Sequence, residues 1–175
     1  MAGHAKTALR PLAGADFRRE LESESRRAIR GRCPLSLVLF APKFQDARDK
    51  EANARELLRR IAPHMSPCDS LGLLPEMRHA LLLPGAGVFG AQNIASGILQ
   101  SLEQSGIACT AGIASADFSE NAGAETLLQQ AVVALREIKG RNGAIGVYRE
   151  QADTLALRKT LVHSHEKRFL FSGGE

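Results

Sequence analysis

The chain has 175 residues, 44% of them hydrophobic and 24% charged, with a formal net charge of +4. That length favours one domain and that apolar fraction supplies a core, which excludes disorder, a collagen-like repeat and a disulfide scaffold. The longest apolar runs, such as Leu37-Val-Leu-Phe-Ala41, fall far short of the ~20 residues of a membrane helix.

Residues 1–15 carry Gly, Ala and Pro without a period and read as a flexible N-terminal arm. They hold no apolar stretch of the kind a secretory leader needs, so a cytoplasmic protein without membrane contact is expected. The pattern predicts a first helix over 16–30, with Asp16 as N-cap and Phe17, Leu21 and Ala28 on one side. Residues 35–41 (LSLVLFA) read as a strand covered on both faces. A helix near 50–62 aligns Ala54, Leu57, Leu58 and Ile61. Two short apolar segments, 69–74 and 79–83, form a hairpin joined by Pro75-Glu76-Met77-Arg78.

Pro84-Gly-Ala-Gly-Val88 leads into a helix with Ala91, Ile94, Ala95, Ile98 and Leu102 at spacings of three and four, ended by Gly106. A strand of small residues follows at 107–116. A helix at 124–139 turns Leu127, Leu128, Ala131, Leu135 and Ile138 inward, and 144–148 closes with a short strand. Strands separated by helices around one hairpin predict an α/β sandwich on a mixed sheet. Residues 150–175 read as a mostly helical C-terminal extension with Leu155, Val162 and Phe169 seven apart. With Phe171, these make it a candidate partner or self-association surface, unless the segment folds back on the domain.

The positive charge is mostly arginine, 17 of 23 basic residues, and eight basic residues lie between Lys6 and Arg32 against four acids. A groove for single-stranded nucleic acid would interleave such charge with stacking aromatics. The chain has seven Phe, one Tyr and no Trp, and most Phe sit in apolar patterns, so a solvated helix face is expected and no nucleic-acid partner. Cys33, Cys68 and Cys109 are an odd set without close pairing and read as reduced thiols. Cys33 and Cys109 border apolar segments and are expected to pack; Cys68 is expected to be partly exposed.

Gly85-Ala-Gly87-Val-Phe-Gly90 matches the dinucleotide-binding pattern G-x-G-x-x-G. Pro84 intervenes, the preceding strand belongs to a hairpin, and no acid ends the next strand, so a structural loop is the reading. His64 with Cys68, and His163 with His165, are metal ligands by type, but neither has a second pair at zinc spacing.

Four strings together resemble GGDEF domains. Cys68-Asp-Ser-Leu-Gly-Leu-Leu-Pro-Glu-Met-Arg-His-Ala-Leu-Leu-Leu-Pro-Gly85 is similar, without a gap, to the stretch around the family's signature hairpin. Leu37-Val-Leu-Phe40 is similar to its first strand, and Thr110-Ala-Gly-Ile-Ala114 to its Ser-Ile-Gly strand. Ala134-Leu-Arg-Glu-Ile-Lys-Gly-Arg-Asn142 is similar to its last helix and the Gly-Arg-Asn beyond. The resemblance spans about 17–149 and implies a nucleotidyl-cyclase-like palm, a mixed, largely antiparallel sheet of about five strands flanked by helices. The family's diguanylate cyclases join two GTP into cyclic di-GMP with two metal ions, which demand carboxylate oxygens.

The sequence departs from the family where metal is held. The signature reads Pro75-Glu76-Met77-Arg78-His79: the glycines are Pro and Glu, the metal carboxylate is a thioether, and the next acid is a fixed cation. After the first strand the family's Asp position is Ala41. The Arg of the product-inhibition motif aligns with Ser66, while its partner Asp matches Asp69. The resemblance therefore implies a degenerate domain over 16–149 with no Mg²⁺ site, no other cofactor and no catalytic residue. Lys139 and Arg141 resemble family residues that contact the triphosphate, with Lys43 and Arg78 adding charge nearby; the alternative for Lys139 and Arg141 is capping of a helix C-terminus. An inactive protein-interaction or regulatory module in bacterial signalling is expected. A sensor of GTP or cyclic di-GMP without turnover, or a residual cyclase, are the alternatives.

Overall fold

A computed structural model describes residues 10–44, 50–75, 78–116 and 123–149. The order is α1 (Gly14–Gly31), β1 (Leu35–Lys43), α2 (Lys50–Ile61), a single helical turn at Ala62–His64, β2 (Ser70–Leu74), β3 (Arg78–Pro84), α3 (Val88–Glu103), β4 (Ala108–Ala116), α4 (Ala124–Glu137) and β5 (Ile145–Val147). The five strands form one sheet in the order β2-β3-β1-β4-β5. Neighbours are antiparallel except β4 and β5, which run parallel. A parallel pair needs a crossover, and α4 supplies it.

β1 is central and apolar on both faces because each face meets its own helix pair. Leu35, Leu37 and Leu39 join Phe17 and Leu21 of α1 and Leu127, Leu128, Ala131 and Leu135 of α4. Val38 and Phe40 face the other way, among Leu57 and Ile61 of α2 and Ala91, Ala95, Ile98 and Leu102 of α3. This is the two-sided sandwich on a mixed five-stranded sheet that the element order predicts.

The first helix departs from its sequence reading. It starts at Gly14, and Ala13 is the N-cap with no side-chain bond. Asp16 does not cap; it pairs with Arg19 one turn on at 3.3 Å. The cause is tertiary. Within the stretch read as an arm, Leu12 forms a parallel bridge with Gly72, its N–H donating to Leu71 O (2.8 Å) and its C=O accepting from Leu73 N–H (3.0 Å). That staple on the outer rim of β2 delivers the chain into α1 early. Gly72 also leaves room for the Phe17 ring, which a Cβ there would strike.

Smaller differences follow the same logic. α4 ends at Glu137, two residues before the expected stop, and β5 has three residues where five are expected. α3 ends at Glu103 with Gln104 as C-cap; Gly106 lies beyond it in the left-handed region (φ 74°). Cys33, expected to pack, is exposed beside Gly31, whereas Cys68 is exposed and Cys109 buried as read. Among the described residues no helix is long and apolar enough to cross a membrane. The extension at 150–175, with Leu155, Val162, Phe169 and Phe171, lies outside the described residues, as do His163 and His165.

Candidate functional site

One end of the sheet gathers the residues singled out from the sequence. β1 runs out there at Lys43, the β2–β3 turn lies beside it, β4 begins at Ala108, and the turn after α4 arrives at β5. β3 begins one residue earlier than expected: Arg78 joins His79 in the strand, opposite Leu74 and Leu73. Pro75 opens the turn and is exposed; Glu76 and Met77 lie outside the described residues.

Period-two alternation sorts these residues into two rows across the sheet. Leu73, His79, Phe40, Ala111 and Ile145 form a row on the α2/α3 side. His79 is only 1% exposed there, so its imidazole is a buried sheet residue and not part of an open loop. The next row faces α1 and α4. Leu74 pairs with Arg78, and Ala41 pairs with Thr110. The β1–β3 pairing ends at Phe40 and His79, and Ala41 and half-buried Arg78 are the next residues of these two strands toward the same end of the sheet. Thr110 is buried and contributes only a neutral hydroxyl.

Lys43 ends β1, exposed, and its Nζ donates to Asn142 Oδ1 at 3.3 Å. This joins the end of β1 to the Gly-Arg-Asn turn. The turn itself is fixed by backbone bonds: Lys139 N–H to Arg136 O (3.2 Å), Arg141 N–H to Ile138 O (3.0 Å), Gly143 N–H to Cys109 O (2.9 Å) and Ala144 N–H to Arg141 O (3.1 Å). Gly140 (φ 92°) and Gly143 (φ 73°) occupy left-handed conformations that let the chain reverse. Lys139 and Arg141 follow directly on α4, where cations suit the helix dipole, and both are exposed at the end where Lys43 and Arg78 lie. The contact that unites Lys43 with Asn142, and the place of Thr110 beside Ala41, were missed from sequence. Both residues belong to strings that resemble the family, which was the available signal.

Two other sequence features have structural roles. Asp69 accepts the Ser66 N–H on Oδ2 at 2.6 Å, and its own N–H donates to Ser66 O at 3.0 Å, closing a turn before β2. Burial raises its carboxyl above the ordinary range, and the Ser66 N–H pulls it partly back. The glycine-rich loop is bolted to β1: Gly85 N–H donates to Pro34 O (2.8 Å) and Ser36 Oγ donates to Ala86 O (2.7 Å). It lies at the sheet end opposite Lys43, as a structural loop. The His64 ring rests on α3 at Gly97, where a Cβ would meet it at 2.9 Å. Among the described residues no three His, Cys, Asp or Glu side chains are placed to hold a metal ion.

No protein-family model matches the sequence, and no curated protein matches it. Solved structures do. The active GGEEF domain of a diguanylate cyclase from Vibrio cholerae is 19% identical, with 83% of this chain and all (100%) of that one covered, at a TM-score of 0.71. The GGDEF domain of DgcB from Caulobacter crescentus, solved in complex with c-di-GMP, is 14% identical over 86% of this chain and 98% of its own, at 0.69. The GGDEF domain of YfiN (TpbB) from Pseudomonas aeruginosa is 22% identical over 81% and 98%, at 0.68. The chain therefore has the GGDEF-domain fold, the architecture of the diguanylate cyclases of bacterial cyclic di-GMP signalling.

Proposed function

We propose that the chain is a catalytically inactive GGDEF-fold module that acts by binding in bacterial signalling, as a protein-interaction or regulatory domain. The observation that carries this reading is the row at the end of the sheet. Magnesium takes oxygen ligands, and cyclisation of GTP requires carboxylates to seat it. The Ala41 side chain has no donor atom, and Arg78, which precedes His79 on the neighbouring strand, carries a fixed charge of the same sign as the ion. Thr110 adds only a neutral hydroxyl, so this row does not suit a divalent ion. His79 is buried in the neighbouring row. The partner surface in this reading is the extension with Leu155, Val162, Phe169 and Phe171.

Purified full-length chain incubated with GTP and Mg²⁺ or Mn²⁺ is expected to form no cyclic di-GMP; its appearance would refute inactivity. Replacing Leu155, Val162, Phe169 and Phe171 together with serine is expected to abolish a partner or dimer contact. Unchanged assembly would remove the interaction role.

A second reading, a nucleotide sensor without turnover, is favoured by the Lys43–Asn142 bond. It places Lys43 against the turn bearing Arg141, so that cations from β1 and from the α4–β5 turn share one end of the sheet. Calorimetry with GTP and with cyclic di-GMP tests it, and no heat at millimolar ligand would end it.

A further inference from the structure

Across the molecule, most arginines of α1 and α2 are neutralised by carboxylates. Arg18 pairs with Glu125, Arg19 with Asp16, Arg26 with Glu22, Arg27 with Glu24, and Arg59 and Arg60 with Glu56. The end of the sheet around Lys43 differs. The one polar contact of the Lys43 side chain among the described residues is the neutral Asn142 oxygen, and no described acid pairs with Lys139 or Arg141. Among the described residues, three exposed cations thus have no carboxylate partner, at the end of the sheet where Ala41 and Arg78 offer a metal ion no oxygen side chain.

We propose that this end of the sheet takes a polyphosphate ligand as the metal-free anion, so that Mg²⁺ competes for the ligand instead of bridging it to the protein. This rests on the ligand-holding form of the function proposed above. In a metal-dependent site, carboxylates repel the phosphates until an ion sits between them. Here the sign is reversed. Lys43, Lys139 and Arg141 meet phosphate oxygens by charge-assisted bonds. An ion on those oxygens would cancel charge that the cations read, and would bring its own charge toward Arg78.

The test is isothermal titration of the full-length chain with GTP and with inorganic tripolyphosphate, each in EDTA and in excess Mg²⁺. Both ligands are expected to bind in EDTA, and Mg²⁺ to weaken each by about tenfold. Lys43→Gln and Arg141→Gln, both at exposed positions, are each expected to weaken binding in EDTA by about tenfold with unchanged melting. Ala41→Asp is expected to weaken it as well and to shrink the Mg²⁺ effect. Tighter binding in Mg²⁺, no binding in EDTA, binding of GTP without tripolyphosphate, or indifference to both glutamine variants would each overturn the proposal. Chromatography of the GTP samples separates its failure from that of the wider reading: cyclic di-GMP refutes inactivity, whereas Mg²⁺-strengthened binding without product refutes only the metal-free ligand.

Discussion

Gly112 on β4 and Gly146 on β5 are register partners, and α4 rests its backbone on both. A Cβ on Gly112 would come within 2.5 Å of Ala131 O, and one on Gly146 would strike Ala134 O. The obstacles are backbone atoms of a packed helix, which cannot swing aside as a side chain can. Gly112→Ala and Gly146→Ala are each expected to lower stability by about 1–3 kcal/mol, by overpacking. Their effects should not add, because both push on one helix. Gly90→Ala is the control: its Cβ would meet only Ala86 Cβ at an ordinary 3.6 Å, on an exposed face of α3. It should raise stability by about 0.5–1 kcal/mol. Thermal melting of the three variants checks the set.

The Ser36 hydroxyl is fully buried and lies 2.7 Å from both Ala86 O and Ser115 Oγ. It has one proton, which goes to the carbonyl, so Ser115 is the donor in the serine pair. Ser36→Ala strands the Ala86 carbonyl and should destabilise by about 1–3 kcal/mol. Urea titration is expected to show a lower midpoint with an unchanged slope.

Cys109 is held in the core beside the end of β1, and burial pushes its thiol up to about 12. At pH 8 it is protonated and shielded, while Cys33 and Cys68 are exposed. A thiol-reactive dye should label two cysteines in the native protein and the third only after denaturation. Rapid labelling of all three under native conditions would contradict this placement.

Glu56 on α2 accepts hydrogen bonds from Arg59 at 2.9 Å and from Arg60 at 2.8 Å, which together lower its carboxyl from 4.5 to about 2. A carboxyl lowered on folding stabilises the native state above its unfolded value, and that contribution disappears as pH falls from 4.5 toward 2. Arg59 is largely exposed, so solvent screens the pair and the contribution is small. Glu56→Gln should melt slightly below the parent at pH 7, and the gap should narrow below pH 4.5, close only near pH 2, and shrink in high salt.

Much of this architecture is legible in the sequence because periodicity and punctuation agree. LSLVLFA between two turn signals reads as a doubly covered strand, and it lies at the centre of the sheet. What sequence misplaces is set by distant contacts. Asp16 has the chemistry of an N-cap, yet Leu12 pairs with β2 and starts the helix upstream of it. Glu24 and Ser25 lie by helical spacing on the buried face of α1 with Phe17 and Leu21, although their polarity alone reads as exposed. At the site, Ala41 and Arg78 are visible as departures from a family pattern, but their lying at one end of the sheet follows from strand register. Register depends on pairing between segments far apart in the chain. The Lys43–Asn142 contact spans 99 positions and has no local signature.

The staple at Leu12 has a consequence for how copies of this protein can meet. A β-sheet invites growth wherever a long border of amides and carbonyls stays open. Here one border strand has Leu71 O and Leu73 N–H already occupied by Leu12, and the other, β5, is three residues long. Among the described residues, neither margin offers a long open run on which a second chain could zip. Association of two molecules is therefore expected to use helices, turns or other segments, with the described sheet acting as a closed frame.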